Sequence, residues 1–184
     1  GDVTGVDRYA AFAPADGLQT VINGGGAVQV GDMSGQDTLI INTRGGAIIT
    51  GLLTTPTSAV LLTPFDVTLG GMTTGLSGAD IVYISDTQFS EYDDSFRNGG
   101  LAFDTSDLFG AALGAADGSS FRSGAITTGR LRAAAQLVEL GGVDASDGVD
   151  ILATRRATFA GAVRAPDILV EAGDIVIGDA AMLG

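Results

Sequence analysis

The C-terminal third of the chain repeats itself. "ITTGRLRAAAQLVELGGVDA" fills residues 126–145 and "SDGVDILATRRATFAGAVRA" fills 146–165, two equal blocks that each end in Val-x-Ala. "PDILVEAGDIVIGDAAMLG" then adds a further unit, in which Asp167-Ile168-Leu169 echoes Asp150-Ile151-Leu152. A unit of about 20 residues cannot bury an apolar face by itself, so units of this kind stack on one another. The upstream sequence supplies material for the same stack. Short apolar runs, each closed by Gly, Asp, Asn or Ser, recur as "LQTVIN" (18–23), "AVQVG" (27–31), "TLIIN" (38–42), "GAIITG" (46–51) and "DIVYIS" (80–85). Short strands at regular spacing point to a sandwich, a barrel or a solenoid, and the repeat selects the solenoid.

Composition agrees. Nineteen of the 22 acidic residues are Asp and only three are Glu, a balance that favours turns over helices. The 45% hydrophobic content is too apolar for a solvated coil. At 184 residues the chain is read as a single domain: capping strands over 1–38, regular coils over 126–184, and an excursion between them. "RLRAAAQLVEL" (130–140) has good helix formers and also fits a short helix, but its place within the period favours a strand. The excursion is "FSEYDDSFRNGGLAFDTSDLFG" (89–110), which with Tyr83 holds six of the eleven aromatics and carries the hairpin turn signal "RNGG". It is expected to be an extra-helical hairpin covering a strand edge. The fold class is thus all-β, a right-handed parallel β-helix with one hairpin outside the coil.

Several function classes are excluded or disfavoured by what is missing. The nine basic residues, all Arg, give a net charge of -13, which disfavours nucleic acid. Without Cys there is no disulfide framework or thiolate metal site, and without His no Ser residue has its usual general base. No apolar run approaches the roughly 20 residues of a spanning helix. "INGGGAVQVG" (22–31) is Gly-rich but lacks the Lys-Ser/Thr of a phosphate-binding loop.

"TPTSAVLLTPFDVTLGG" (55–71) looks at first like one strand spoiled by Pro64. Proline has no place mid-strand, so the period makes it a corner between two faces of one coil. The wider stretch "GLLTTPTSAVLLTPFDVTLGGMTTGLSGADIVYISDTQF" (51–89) resembles the secretion domain of two-partner secretion exoproteins, the filamentous haemagglutinin-like family. That family runs from a strand through an Asn-Pro-Asn-Gly turn into a Val-x-Phe-Gly strand, and later closes on Ile-Ser-Asp and a Phe. Here Thr63, Pro64, Phe65 and Asp66 occupy the turn, with Thr63 and Asp66 in place of its asparagines, and Ile84-Ser85-Asp86 with Phe89 closes the segment. "LVELGGVDASDG" (137–148) extends the resemblance towards the C-terminus. It implies a non-enzymatic module, secreted or held on the outer surface of a Gram-negative cell, belonging to an adhesin-like protein. Thr63, Pro64, Phe65 and Asp66 would form a recognition turn for the periplasmic domains of an outer-membrane transporter.

Two further readings stay open. A module anchoring extracellular polysaccharide, as in holdfast or matrix attachment, would use Tyr92, Phe96 and Phe103 as its glycan-binding face. A glycan-cleaving β-helix would need two carboxylates and an Arg on one face, since no His or Lys is present. Clustered aspartates, Asp144, Asp147 and Asp150 above all, are weak calcium candidates, and solvated turns are their plainer reading. No cofactor is expected otherwise. Arg155 and Arg156 would face opposite ways on a regular strand, so a turn is expected there. "GDIVIGDAAMLG" stops without a polar cap, from which a longer parent fibre is expected.

Overall fold

The computed structural model describes residues 19–35, 38–43, 46–56, 58–63, 65–75, 79–83 and 119–179. They form β1 (Gln19–Gly24), β2 (Val28–Gln29), β3 (Met33–Ser34), β4 (Thr38–Thr43), β5 (Ile48–Thr54), β6 (Ser58–Leu62), β7 (Val67–Thr73), β8 (Ala79–Tyr83), the long winding β9 (Ser120–Phe159), β10 (Val163–Arg164) and β11 (Ile168–Ile177). Every pairing between these strands is parallel. The result is an all-β solenoid of about five turns. The stretch over 130–140 is part of β9, so stacking overrides its helix propensity.

Three short stretches recur in each coil. The first stacks β1 on β4, β4 on β6, β6 on β8 and β8 on Arg130–Ala134 of β9. The second and third run through β2 and β3, the two halves of β5 and β7, and residues 121–127 of β9. Register offsets measure the coil: Thr38 pairs with Ser58, Ile48 with Val67, and Val143 with Val163. β6 and β7 therefore lie on different faces of one coil, and the chain bends between Leu62 and Val67 as the interrupted stretch requires. Pro64 itself lies outside the described residues, as do 89–110 with their expected hairpin, Tyr92, Phe96 and Phe103. The register does record a break at that level, because Val67 pairs with Phe121 rather than with a residue one coil on.

Parallel in-register stacking places like on like. Ile48, Val67 and Phe121 form one fully buried column, and Leu53, Met72 and Ile126 form another. Leu39 with Ala59 and Ile41 with Leu61 line the first face. A fully buried side chain of this size contributes about 1.5–3 kcal/mol relative to exposure, so these columns are the main source of cohesion.

A four-residue motif sets the bend between the second and third stretches. It reads Gly-x-apolar-x at Gly31-Asp32-Met33-Ser34, Gly51-Leu52-Leu53-Thr54, Gly70-Gly71-Met72-Thr73, Gly124-Ala125-Ile126-Thr127, Gly141-Gly142-Val143-Asp144 and Gly161-Ala162-Val163-Arg164. The apolar member points inward in each coil and the fourth residue outward, so Ser34, Thr54, Thr73 and Thr127 stack on the surface. From Gly51 onward glycine is required because coils approach backbone to backbone here, whereas a Cβ at Gly31 would meet nothing within 4 Å. A Cβ at Gly124 would overlap the Gly70 carbonyl oxygen, and one at Gly161 would overlap that of Gly141. Arg155 and Arg156 sit at a different bend. Gly173 of β11 stands between the paired residues Ala172↔Ala153 and Asp174↔Arg156, leaving two β9 residues against one, and both arginines face solvent. The turn expected there is not formed: both residues lie within β9, and the bulge in the ladder is what lets neighbouring arginines face solvent together.

Candidate functional site

The turn singled out in the sequence is a polar corner whose side chains hold neighbouring coils. Thr63 is fully buried. Its Oγ1 donates to the Gly46 carbonyl at 2.8 Å and accepts the Phe65 N–H at 3.2 Å. One coil earlier Thr43, also fully buried, donates its hydroxyl to the Gly26 carbonyl in the same way. A hydroxyl at this point satisfies a carbonyl that the bend takes out of the strand ladder, which is why a small β-branched alcohol recurs.

Asp66 faces the next coil. Its Oδ1 accepts the Ser120 N–H at 2.8 Å and the Ser120 hydroxyl at 2.7 Å, while its backbone carbonyl accepts the Ile48 N–H at 2.9 Å. Ser120 opens β9, so Asp66 ties the corner to the point where the ladder resumes after β8. Ser119 continues the corner upward, its carbonyl accepting the Leu137 N–H at 3.2 Å. Phe65 differs from its neighbours. It is 46% exposed among residues otherwise committed to the coil.

Thr63 and Asp66 are thus held by hydrogen bonds to the coils, and among the described residues of this turn Phe65 is the exposed apolar side chain. Replacing Asp66 by Ala is expected to cost about 1–2 kcal/mol, because the backbone N–H of Ser120 loses a charged acceptor. Phe65→Ala is expected to change stability by less than about 0.5 kcal/mol. Urea midpoints for the two variants against the parent chain check both values.

The second cluster surrounds Asp150. This residue is buried, and its Oδ2 accepts from Arg130 Nη1 at 2.9 Å and Arg132 Nε at 3.4 Å. Arg130 also donates through Nη2 to the Asp147 carbonyl at 3.2 Å. Gly148 makes room for this: a Cβ there would lie 3.0 Å from the guanidinium carbon of Arg130. The calcium candidates consequently part company. Asp150 faces two guanidiniums, whereas Asp144 and Asp147 are exposed, with the Asp147 carboxylate 3.4 Å from the Ser146 hydroxyl. Among the described residues no group of three or more His, Cys, Asp or Glu is placed to hold a metal ion.

The Asp150 cluster and the glycine bend were not read from the sequence. Both carry a signal there, since Arg130 and Asp150 stand 20 residues apart and become neighbours once the sequence is written one coil to a line. Among the described residues no helix is long and apolar enough to cross a membrane. Compared with protein-family models, curated proteins and solved structures, the chain matches none of them.

Proposed function

We propose that this chain is a non-enzymatic secretion or cell-surface module of an exported, adhesin-like bacterial protein, handled by an outer-membrane transporter through the turn that contains Phe65. The observation that carries this reading is the order of pairing. Nearly every coil closes on the coil made immediately before it, through parallel strands and through hydroxyls that reach back 17 residues, as Thr43 and Thr63 do. A chain leaving a pore from one end folds on itself as it appears if each new unit needs only the preceding one. The acidic composition suits the same setting, because like charge opposes lateral association of fibres. The second support is the resemblance of 51–89 to the two-partner secretion domain, with an exposed aromatic at the matching turn.

The test is binding of the purified chain to the isolated periplasmic domains of an outer-membrane transporter of the two-partner secretion type. Saturable binding that weakens about tenfold or more in Phe65→Ala is expected. Failure of the parent chain to bind at high protein concentration sinks the proposal.

A further inference from the structure

The outward side of the first stretch is covered, although every described strand belongs to the stack itself. Neighbours on a strand point to opposite sides. Ala59 and Leu61 belong to the core, so Val60 between them looks outward. By the same alternation Ala134 looks outward between Ala133 and Ala135, and Leu152 between Ile151 and Ala153. Yet Val60, Ala134 and Leu152 are only 5%, 5% and 2% exposed. Ala134 and Leu152 form an apolar cluster of their own, apart from the main core. An outward apolar side chain on β5 behaves differently: Ile49 and Leu52 are 42% and 45% exposed. The burial of the first face is a property of the single chain, so the cover belongs to the chain.

The ladder shows where such a cover leaves the stack. From Leu62 to Val67 the corner takes four residues, but between their partners Tyr83 and Phe121 it takes 37. The extra length departs from β8, a strand of the covered stretch. Residues 84–118 hold five aromatics, and seven carboxylates against the single Arg97. Arg130 and Arg132 flank the inward Leu131 and so face the same outward side, with 29% and 20% of their side chains exposed. An acidic, aromatic segment complements that surface. Residues 1–18 are placed less well: they enter at β1, five layers from Leu152, or about 24 Å, whereas β8 is two layers away. We infer that residues 84–118 pack back over the outward side of the first stretch, with aromatic side chains on Val60, Ala134 and Leu152 and carboxylates towards Arg130 and Arg132. The excursion thereby hides a face of the coil rather than a strand edge. This does not rest on the secretion reading, since Phe65 lies at the corner and stays exposed.

The chain has no cysteine, so a single introduced thiol reports its own cover. In the full chain Leu152→Cys is expected to react with a maleimide about tenfold or more slowly than Leu52→Cys, although both positions look outward. Arg132→Cys labelled with benzophenone maleimide puts a photoreactive group on the same face. After irradiation of the native monomer, peptide mass spectrometry is expected to find its adducts in 84–118. This second arm stands by itself if Leu152→Cys unsettles the fold, because Arg132 is partly exposed. Equal rates for the two thiols overturn the inference, since the face is then open. Any adduct pattern that lacks 84–118 overturns it as well: adducts in 1–18 assign the cover to the N-terminal residues, and a covalent dimer assigns it to a second copy.

Discussion

Gly161→Ala is expected to lower the unfolding free energy by about 3 kcal/mol, at the upper end of what overpacking costs. The new methyl group has nowhere to go, since it would lie 1.7 Å from the Gly141 carbonyl oxygen, a backbone atom held by the coil below. Relief requires two coils to move apart, and that loosens the Val143 and Val163 column beside them. The loss is large against the 5–15 kcal/mol that holds an ordinary domain together. Gly25→Ala supplies the contrast. A Cβ there meets nothing within 4 Å, so the change is expected to be neutral or to stabilise by up to about 1 kcal/mol through the unfolded chain. Urea denaturation of the two variants reads the difference, and equal midpoints would dismiss backbone contact as the reason for the glycine bend.

Asp150→Ala is expected to cost about 2–3 kcal/mol. Removing one partner of a buried ion pair costs about 3–5 kcal/mol, since the remaining charge has lost its solvent and its counter-ion together. The lower figure applies because the Arg130 and Arg132 side chains keep 29% and 20% of their exposure and recover some hydration. Arg156→Ala breaks a pair that is open to water on both sides and is expected to cost less than about 0.5 kcal/mol. Salt separates the two further. In 1 M NaCl the Arg156 effect is expected to vanish while most of the Asp150 effect persists, because a buried pair is poorly screened. Thermal melts of both variants with and without salt make the comparison.

The coil was legible in the sequence for a physical reason. Parallel stacking puts the same requirement on every layer, so Val143 and Val163, which pair, also occupy matching places in the two 20-residue blocks. Bends were legible where a residue has one structural use, as with the corner between Leu62 and Val67. Interactions between coils were harder to see. Asp66 reads as an ordinary turn aspartate, and nothing nearby announces that its partner is Ser120, 54 residues away. The same gap hides the glycine bend, since the motif at Gly70 is followed by that at Gly124, and the expected spacing fails at one step. Asp150 was grouped with Asp144 and Asp147 by proximity along the chain, when its partners Arg130 and Arg132 belong to the layer below.

The clasp between Asp66 and Ser120 bears on the order of folding. Elsewhere a new layer forms by closing a span of about 20 residues, but the layer that begins at Phe121 closes one of 54. By chain statistics the longer closure costs about 0.9 kcal/mol more in entropy, before any contact repays it. The described stretches on either side, up to residue 83 and from residue 119, are therefore expected to grow as two blocks by local steps, with the junction between them the slower closure. The double hydrogen bond from Ser120 to Asp66 stands at that junction, and its early formation shortens the remaining search to the length of a single coil.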